Sequence, residues 1–253
     1  MALLITYFLL TKIEGRNYVF CFKKKKTIPS CSVVIAAGGS SHRMDGVDKL
    51  LIQVLGIPII VHTINAFQIC DKVNEVVVVT REECMEQVSD VCAHFKLSKV
   101  SKIILGGSNR LASVMNGVLA VSEKADLIAI HDGARPCIDQ SVITCTIEAA
   151  MHYHAAAPGI PVSSTIKKVK SGYIAETVDR VDLVEIQTPQ VFEANLIKAA
   201  LTNALSKSVD VTDDCKAVEL IGAAVYVTEG SKSNIKLTTQ EDIKVAESFL
   251  TKL

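Results

Sequence analysis

One short segment near the start of the chain constrains its fold and chemistry more than any other. The apolar run Val33–Ala37 is typical of a buried β-strand, and it leads into small residues that include Gly38 and Gly39. Arg43 lies at the end of this loop, and Lys49 follows six residues later. Because glycine lacks a Cβ, the backbone N–H groups can approach a polyphosphate, whose charge the two cations can neutralise. The glycines alone would also suit an ordinary turn between a strand and a helix.

Two common phosphate-binding motifs do not fit this segment. A dinucleotide-binding fold needs a third glycine at the start of the helix and an acidic residue about 20 positions further on. A Walker loop needs Gly-Lys-Ser/Thr. Neither pattern is present at the required positions. The segment therefore favours the nucleotidyltransferase pattern, in which a loop holds a nucleoside triphosphate with its α-phosphate open to attack.

The composition describes a well-cored chain with no net charge. The chain has 253 residues, of which 49% are hydrophobic, enough for one large domain. Its 27 basic and 27 acidic residues cancel, so we expect neither nucleic acid nor a membrane as a partner. The eight cysteines contain no C-x-x-C pair, which predicts reduced thiols and a cytoplasmic location. Cys137 is interpreted as a small buried residue, with a functional role as the alternative.

Residues 1–30 differ from the rest of the chain. The apolar run at residues 1–10 is too short to span a bilayer and lacks the basic region and cleavage site of a signal peptide. Four lysines, at positions 23–26, precede the first core strand. We interpret residues 1–30 as a dispensable extension, with a membrane-surface anchor as the alternative. Residues 31–253 are predicted to form the functional domain.

Strand patterns alternate with helix patterns along this domain. The valine-rich run Glu75–Thr80 is typical of a strand buried on both faces, and similar runs recur later. The alternation predicts an α/β fold with a doubly wound, mostly parallel, Rossmann-like sheet. The predicted strands are Ser32–Ala37, Glu75–Thr80, Lys102–Leu105 and Leu127–His131, and the predicted helices are Pro58–Phe67, Glu82–Phe95 and Arg110–Ser122. Ligands gather at the carboxyl ends of such strands, so the loops at Gly38, Gly107 and Asp132 should converge on one crevice.

Two later segments have their own local signals. Ile160–Val178 reads as two strands around a turn at Ser171-Gly172. A lone hairpin has too little core to be stable alone, so residues 160–180 are predicted to form a protruding dimerisation arm. Thr239 and Asp242 form a variant of the helix-capping box and predict a final helix that reaches Leu250.

Several further motifs are weak alone but occur in a fixed order. Asp132 and Arg135, for example, could orient a polyol hydroxyl or assist a metal–triphosphate, or could simply satisfy each other in a turn. The ordered segments are Ala36–Gly38 with Arg43 and Lys49, Gly106-Gly107 with Arg110 and Ser113, His131-Asp132 with Arg135, Pro161-Val162 with Thr165–Lys167, Thr177–Arg180, Gln187–Gln190, Thr212-Asp213 and Asn234–Lys236. Together they resemble the 2-C-methyl-D-erythritol 4-phosphate cytidylyltransferase family of the non-mevalonate isoprenoid route, from about Val33 to the C-terminus.

The resemblance implies a reaction. The phosphate of methylerythritol 4-phosphate would attack the α-phosphorus of CTP and expel pyrophosphate, without a covalent enzyme intermediate. The family needs Mg²⁺ or another divalent cation, held mainly by the CTP phosphates rather than by protein ligands. Electrostatic preorganisation would be the main catalytic device, because the attacking phosphate is already ionised. The resemblance also implies a homodimer with shared active sites.

The resemblance also assigns roles to individual residues. Arg43 and Lys49 would be the catalytic cations, and Arg180 and Lys236 would bind the substrate phosphate, with Arg180 supplied by the partner subunit. The polyol site would be lined by Asp132, Arg135, Thr165, Thr188 and Thr212. The nucleotide site would comprise Ala36, Ala37, Gly38, Gly39, Gly107, Ser108, Ser113 and Gly133.

The chain departs from the family pattern at four places. Ile35 replaces a usual proline, Ser108 and Ser164 replace usual acidic residues, and one extra residue near Gly39 leaves its role uncertain by one position. None of these changes removes a cation that the chemistry needs. Two alternatives stay open: a ribitol 5-phosphate cytidylyltransferase, and a non-catalytic nucleotide-binding relative.

Overall fold

The computed structural model describes residues 8–13, 16–21, 29–38, 48–209 and 211–251. In chain order the strands are β1 (Phe8–Ile13), β2 (Arg16–Cys21), β3 (Cys31–Ala36), β4 (Gln53–Val54), β5 (Ile57–Pro58), β6 (Val73–Thr80), β7 (Val100–Leu105), β8 (Leu127–Asp132), β9 (Ala155–Pro161), β10 (Ile166–Lys170), β11 (Tyr173–Val178), β12 (Val184–Ile186), β13 (Gln190–Glu193) and β14 (Tyr226–Glu229). The helices are α1 (Ile59–Gln68), α2 (Glu82–His94), α3 (Arg110–Ala120), α4 (Gln140–Tyr153), α5 (Ala194–Ser206), α6 (Asp214–Glu219) and α7 (Gln240–Leu250), with a short 3₁₀ helix, η1, at Lys49–Leu51.

A central eight-stranded sheet organises the domain. Its order is β12-β9-β13-β8-β3-β6-β7, and β14 adds to β9. The pairs β8–β3, β3–β6 and β6–β7 are parallel, as is β14–β9, whereas β13 runs antiparallel between β8 and β9. This arrangement confirms the predicted mostly parallel α/β sheet.

Both faces of the sheet are covered by helices, because successive side chains of a strand point to opposite faces. In β3, Val33 and Ile35 enter one apolar core and Val34 enters the other, and all three are fully buried. The first core contains buried residues of α1, α2 and α4, and the second contains buried residues of α3, α5 and α6. The sheet is therefore doubly wound, as predicted.

Three details differ from the sequence-based expectations. The strand β7 was expected to be buried on both faces, but it lies at the edge of the sheet and much of it is exposed. Pro58 does not lie in the first turn of α1 but at its N-cap, where it also ends β5. The predicted hairpin begins later than Ile160, because Ile160 pairs with β12 in the main sheet.

The arm consists of β10 and β11, which pair as an antiparallel hairpin. The turn residues Ser171 and Gly172 have φ values of 52° and 85°, the left-handed pair that a tight two-residue hairpin turn requires. Apolar side chains on the arm face solvent in the single chain: Val169, Tyr173 and Ile174 are 63%, 80% and 67% exposed. The hairpin therefore presents an apolar surface that its own chain does not cover.

The expectation for the C-terminal helix is confirmed. Thr239 and Asp242 form the predicted capping box, and α7 ends at Leu250 as expected. Among the helices described, none combines the length and apolar character needed to cross a bilayer.

Candidate active site

A cleft of about 380 Å³ lies where the loops after β3, β7 and β8 meet. This is the crevice predicted from the positions of Gly38, Gly107 and Asp132. Nine of the predicted site residues line it: Ala36, Ala37, Gly38, Lys49, Gly107, Ser108, Ser113, Asp132 and Lys236. A larger groove of about 740 Å³ between α2 and β7 contains none of the predicted site residues. The chemistry-bearing residues therefore gather in the smaller cleft.

The loop after β7 is fixed to the first turn of α3. A Cβ on Gly107 would lie 2.5 Å from the Cβ of Ala112, so only glycine fits there. The N–H of Gly107 donates to Ser113 Oγ at 2.9 Å, and the Ser113 hydroxyl donates to Asn109 O at 2.8 Å. Asn109 in turn caps α3 through the N–H of Ala112. The loop thus presents its backbone to the cleft in a fixed conformation.

The loop after β8 lies equally close to β3. The N–H of Gly133 donates to Ala36 O at 2.9 Å, and a Cβ on Gly133 would lie 3.2 Å from that oxygen. A larger residue at this position would push the two loops apart, which explains the glycine.

Lys49 enters the cleft from η1. Its ammonium group donates to Leu237 O at 3.0 Å, and burial lowers its pKa, with the nearby charge of Lys236 acting in the same direction. Asp48 holds the start of η1 by accepting from Leu50 N at 2.9 Å, and it also pairs with Arg81 at 2.5 Å. Lys49 therefore belongs to a turn anchored to the loop after β6.

Asp132 also lines the cleft, and it pairs with two cations. Its Oδ2 lies 3.0 Å from Lys236 Nζ and 3.3 Å from Arg135 Nε. Burial raises the pKa of the Asp132 carboxyl, but Lys236 and Arg135 outweigh it and hold the pKa at about 2. The carboxylate is therefore ionised at neutral pH, and the two cations are held side by side.

Thr188 is buried beside this charged group. It is 5% exposed, and its hydroxyl accepts from the N–H of Asp132 at 3.1 Å and lies 3.0 Å from His131 Nδ1. His131 is fully buried, and its Nε2 lies 3.3 Å from Arg135 O. Burial lowers the pKa of His131 to about 4, so the imidazole is neutral at pH 7.

A second buried network, which the sequence reasoning missed, joins α3 to α6. Arg110 lines the cleft and makes a bidentate ion pair with Asp214, at 3.0 and 2.6 Å, although Asp214 is completely buried. Gln190 accepts from the N–H groups of Asp214 and Cys215 and donates to Asp213. Arg110 and Gln190 occur in the ordered motifs, but nothing in the sequence indicates that Asp214 is their common partner.

The remaining predicted residues lie away from the cleft or outside the described part of the chain. Thr165 and Arg180 are exposed beside the arm, where Arg180 donates to the carbonyl of Ser163 in its own chain. Thr212 is exposed in the loop before α6. Gly39 and Arg43 lie outside the described residues. Cys137 is fully buried as expected, and burial raises its pKa to about 12.

The cleft offers few protein ligands to a divalent cation. Asp132 is the one carboxylate among the cleft residues that the structure describes, and its Oδ2 already pairs with two cations. Across the described ranges, no three His, Cys, Asp or Glu side chains are grouped to hold a metal ion. A hard cation prefers six or more oxygen ligands, so this cleft fits an ion whose ligands come mainly from a bound triphosphate.

Comparison with known proteins identifies relatives over almost the whole domain. The sequence model of the family described as IspD, 2-C-methyl-D-erythritol 4-phosphate cytidylyltransferase, matches residues 31–252. A relative of that name from Caldanaerobacter subterraneus subsp. tengcongensis is 41% identical over 223 residues, covering 87% of this chain and 98% of the relative. Another from Halalkalibacterium halodurans is 40% identical over 220 residues, covering 87% of this chain and 96% of the relative.

Solved structures give the same picture. The crystal structure of 4-diphosphocytidyl-2C-methyl-D-erythritol synthase from Anaerococcus prevotii matches with a TM-score of 0.79 and 28% identity, covering 88% of this chain and 97% of that one. The 2-C-methyl-D-erythritol 4-phosphate cytidylyltransferase of Thermus thermophilus matches with a TM-score of 0.73 and 28% identity, covering 88% and 98%. The likeness therefore extends over the complete fold of these proteins.

Proposed function

The chain belongs to the 2-C-methyl-D-erythritol 4-phosphate cytidylyltransferase family, and from this premise we propose how its cleft carries out the reaction. The enzyme transfers the cytidylyl group of CTP to 2-C-methyl-D-erythritol 4-phosphate, which yields 4-diphosphocytidyl-2-C-methyl-D-erythritol and pyrophosphate in isoprenoid precursor biosynthesis. The observation that carries the proposal is the convergence of a glycine loop, Lys49 and the Asp132–Lys236 pair on one cleft.

The nucleotide is proposed to bind on the side of the cleft formed by the loops after β3 and β7. Backbone groups of Ala36, Ala37, Gly38 and Gly107, together with Ser108, Ser113, Gly133 and the undescribed Gly39, would contact CTP. The fixed conformation of the loop at Gly107 supports this placement, because its N–H is anchored to Ser113 and the absence of a Cβ keeps its backbone close to the cleft. Cytosine would be selected by hydrogen bonds that a larger purine cannot satisfy.

Charge stabilisation is proposed to come from Lys49 and Arg43. Lys49 is held by η1 with its ammonium group in the cleft, so it needs little reorganisation as charge develops on the α-phosphate and pyrophosphate. Arg43, which lies outside the described residues, would act with it. A bound Mg²⁺ would neutralise further triphosphate charge, with its ligands supplied mainly by phosphate oxygens.

The polyol phosphate is proposed to bind at the other side of the cleft. Lys236 is 45% exposed and can turn from Asp132 towards a phosphate, while Asp132 and Arg135 face the polyol. Thr165, which lies beside the arm, and Thr212, in the loop before α6, would complete the polyol site. A phosphate that is already ionised needs no general base, so binding and orientation suffice for its attack.

We also propose a cytoplasmic homodimer in which Arg180 reaches the partner's cleft. The exposed apolar side chains of the arm support this, since a second copy would cover them. Residues 1–30 would be a dispensable extension, because the family match begins at residue 31. A chain that begins at Ser30 would then turn over at the parental rate.

The function is tested by pyrophosphate release with purified protein, CTP and Mg²⁺. Turnover with 2-C-methyl-D-erythritol 4-phosphate and little with ribitol 5-phosphate is expected. A preference for ribitol 5-phosphate would identify the alternative substrate, and the absence of turnover with either would identify a non-catalytic relative. Replacing Mg²⁺ by EDTA should abolish release, and ATP in place of CTP should give little product.

A further inference from the structure

Thr188 occupies a junction between the groups that are proposed to hold the polyol phosphate. Arg135 O is a carbonyl oxygen and can only accept, so the proton of the neutral His131 imidazole resides on Nε2 and is donated to that oxygen at 3.3 Å. Nδ1 is then an acceptor, and it receives the hydroxyl hydrogen of Thr188, whose oxygen lies 3.0 Å away. The same hydroxyl oxygen accepts from the N–H of Asp132 at 3.1 Å, so the directions of all three hydrogen bonds follow from the two backbone groups at the ends.

This chain of hydrogen bonds closes the turn that carries Asp132 and Arg135. It begins at the backbone nitrogen of Asp132 and ends at the backbone oxygen of Arg135, so both ends of the turn are tied to Thr188 and His131. His131 cannot tilt freely, because it is fully buried and its ring packs edge-on against Phe67 with centroids 4.9 Å apart. The buried pair therefore sets the backbone from which the two charged side chains project.

Thr188 is also hydrogen-bonded, through its backbone carbonyl, to the segment that carries Lys236. Asn234 is fully buried and donates to Thr188 O at 2.8 Å, while Asn234 O accepts from the guanidinium of Arg135 at 2.7 Å. Lys236 follows two residues later and pairs with Asp132. The backbone of Thr188 and its side chain thus connect the three charged groups on this side of the cleft.

We propose that Thr188 and His131 are positioning residues for the polyol phosphate, acting through Asp132, Arg135 and Lys236 without touching the substrate themselves. The inference rests on the proposed placement of the polyol phosphate beside those three residues. Thr188 takes this role in preference to lining the polyol site, because it is 5% exposed and its hydroxyl bonds the N–H of Asp132 and His131 Nδ1 inside the protein. Catalysis is sensitive to such placement, since small displacements of binding groups reduce the fraction of productive geometry.

The test compares Thr188→Val with Thr188→Ser in the intact dimeric enzyme. Valine keeps the shape of threonine but cannot accept from Asp132 or donate to His131, whereas serine keeps the hydroxyl. Thr188→Val should lower kcat/KM for the polyol phosphate at least tenfold and change KM for CTP less than twofold. Thr188→Ser should remain within about threefold of the parent. Thr146→Val is the matched control, since Thr146 is fully buried and bonds Val142 O and Thr228 away from the cleft.

A measurement on the parent enzyme keeps the proposal testable if Thr188→Val does not fold. Nitrogen-15 NMR of labelled histidine, assigned with His131→Gln, should show His131 as the neutral tautomer protonated on Nε2 at pH 7.5. Protonation on Nδ1, or a charged imidazole at that pH, would contradict the chain of hydrogen bonds from Asp132 through Thr188 and His131 to Arg135, and would overturn the proposal. Unfolding temperatures measured for every variant separate loss of structure from loss of positioning.

The remaining outcomes are equally decisive. Equal losses in Thr188→Val and Thr188→Ser, or a Thr188→Val enzyme within threefold of the parent, would overturn the positioning role. Lys236→Met distinguishes this failure from a failure of the substrate placement. If Lys236→Met lowers kcat/KM for the polyol phosphate while Thr188→Val does not, the placement stands and the positioning role fails. If Lys236→Met leaves that kcat/KM unchanged, the placement fails, and this inference fails with it.

Discussion

Among the residues that the structure describes, Lys49 is held by a backbone acceptor and forms no ion pair with a carboxylate, which leaves its charge available to a ligand. Its ammonium group donates to Leu237 O at 3.0 Å in the partly buried cleft, where charge is weakly screened. Removing a preorganised charge from such a site costs about 3–4 kcal/mol of transition-state stabilisation, or about 10²–10³ in rate. Lys49→Ala should therefore lower kcat by that factor and change KM for the polyol phosphate much less.

The matched control for this variant is Lys102→Ala. Lys102 also donates to a backbone carbonyl, that of Ala120 at 2.6 Å, but it is exposed on the edge strand β7. Steady-state kinetics should show parental kcat for Lys102→Ala. A Lys49→Ala enzyme within fivefold of the parent would rule out the catalytic role of Lys49.

His131 makes the stability of the fold sensitive to acid. Burial lowers its pKa from 6.5 to about 4, so between these values the unfolded chain binds a proton that the folded protein does not. Stability from the neutral imidazole is therefore complete above pH 6.5 and is lost as the pH falls through 6.5 towards 4. The loss approaches about 3 kcal/mol, from 1.36 kcal/mol for each unit of pKa difference.

Urea unfolding of the parent and of His131→Gln at pH 7, 5.5 and 4.5 measures this contribution. The parent should lose more free energy of unfolding across this range than the variant, because glutamine does not titrate. Parallel pH dependences in the two proteins would show that another group is responsible. Asp132 does not interfere, because its pKa of about 2 confines its own loss of stability to the range below 3.8.

The positions of some residues in the candidate cleft could be predicted from sequence motifs. Gly107 and Lys236 are examples, because both were placed in the site from their motifs and both line the cleft. Thr188 was harder to interpret, because the hydroxyl of a threonine in the Gln187–Gln190 motif can face either the cleft or a buried histidine. The direction of that hydroxyl depends on long-range contacts with β8, 56 and 57 residues away in the chain.

At the level of elements, the ion pair of Arg110 and Asp214 joins the first residue of α3 to the first residue of α6. Asp214→Asn would leave the cationic Arg110 without its buried partner, and breaking such a pair costs about 3–5 kcal/mol of stability. The free energy of unfolding should fall by that amount. Glu219→Gln is the control: its pair with Lys216 is exposed, and it should change stability by about 0–1 kcal/mol. A loss below about 1 kcal/mol for Asp214→Asn would contradict the prediction.

The elements that were predicted, which are β3, β6, β7, β8, α1, α2, α3, the hairpin and α7, followed closely from local sequence patterns. No prediction was made for elements such as α4, α5, α6, β13 and β14, and the predicted elements differ from the structure where neighbouring strands decide. The sequence of β7 suggested a strand buried on both faces. In the structure β7 is the last strand of the sheet order and is paired with β6, so it lies at the edge. Ile160 looks like part of the hairpin in sequence, but pairing with Glu185 in β12 places it in the central sheet. Local patterns do not determine which strand is the neighbour, so these two assignments required the tertiary structure.

For the whole molecule, the arm is the feature that the single chain leaves incomplete. Its apolar side chains are exposed, and Arg180 lies just beyond its end, bonded to a carbonyl of its own chain and away from the cleft residues. A guanidinium can bind a phosphate in a bidentate manner that lysine does not reproduce, so Arg180 is suited to a site in a second copy. We therefore predict that each active site combines Lys49 of one subunit with Arg180 of the other.

Mixing Arg180→Ala chains with Lys49→Ala chains tests this prediction. Each single-variant homodimer should be nearly inactive. A mixed dimer would contain one site with both residues intact and should recover about half of the activity of the unmodified enzyme.

The matched control is the double variant, Arg180→Ala with Lys49→Ala in one chain, mixed with the unmodified protein. If Arg180 acts in the partner's site, both sites of that mixed dimer lack one residue and the mixed dimer is inactive. If Arg180 acts within its own chain, that dimer keeps half of its activity and the first mixture recovers none, once native mass spectrometry has confirmed subunit exchange.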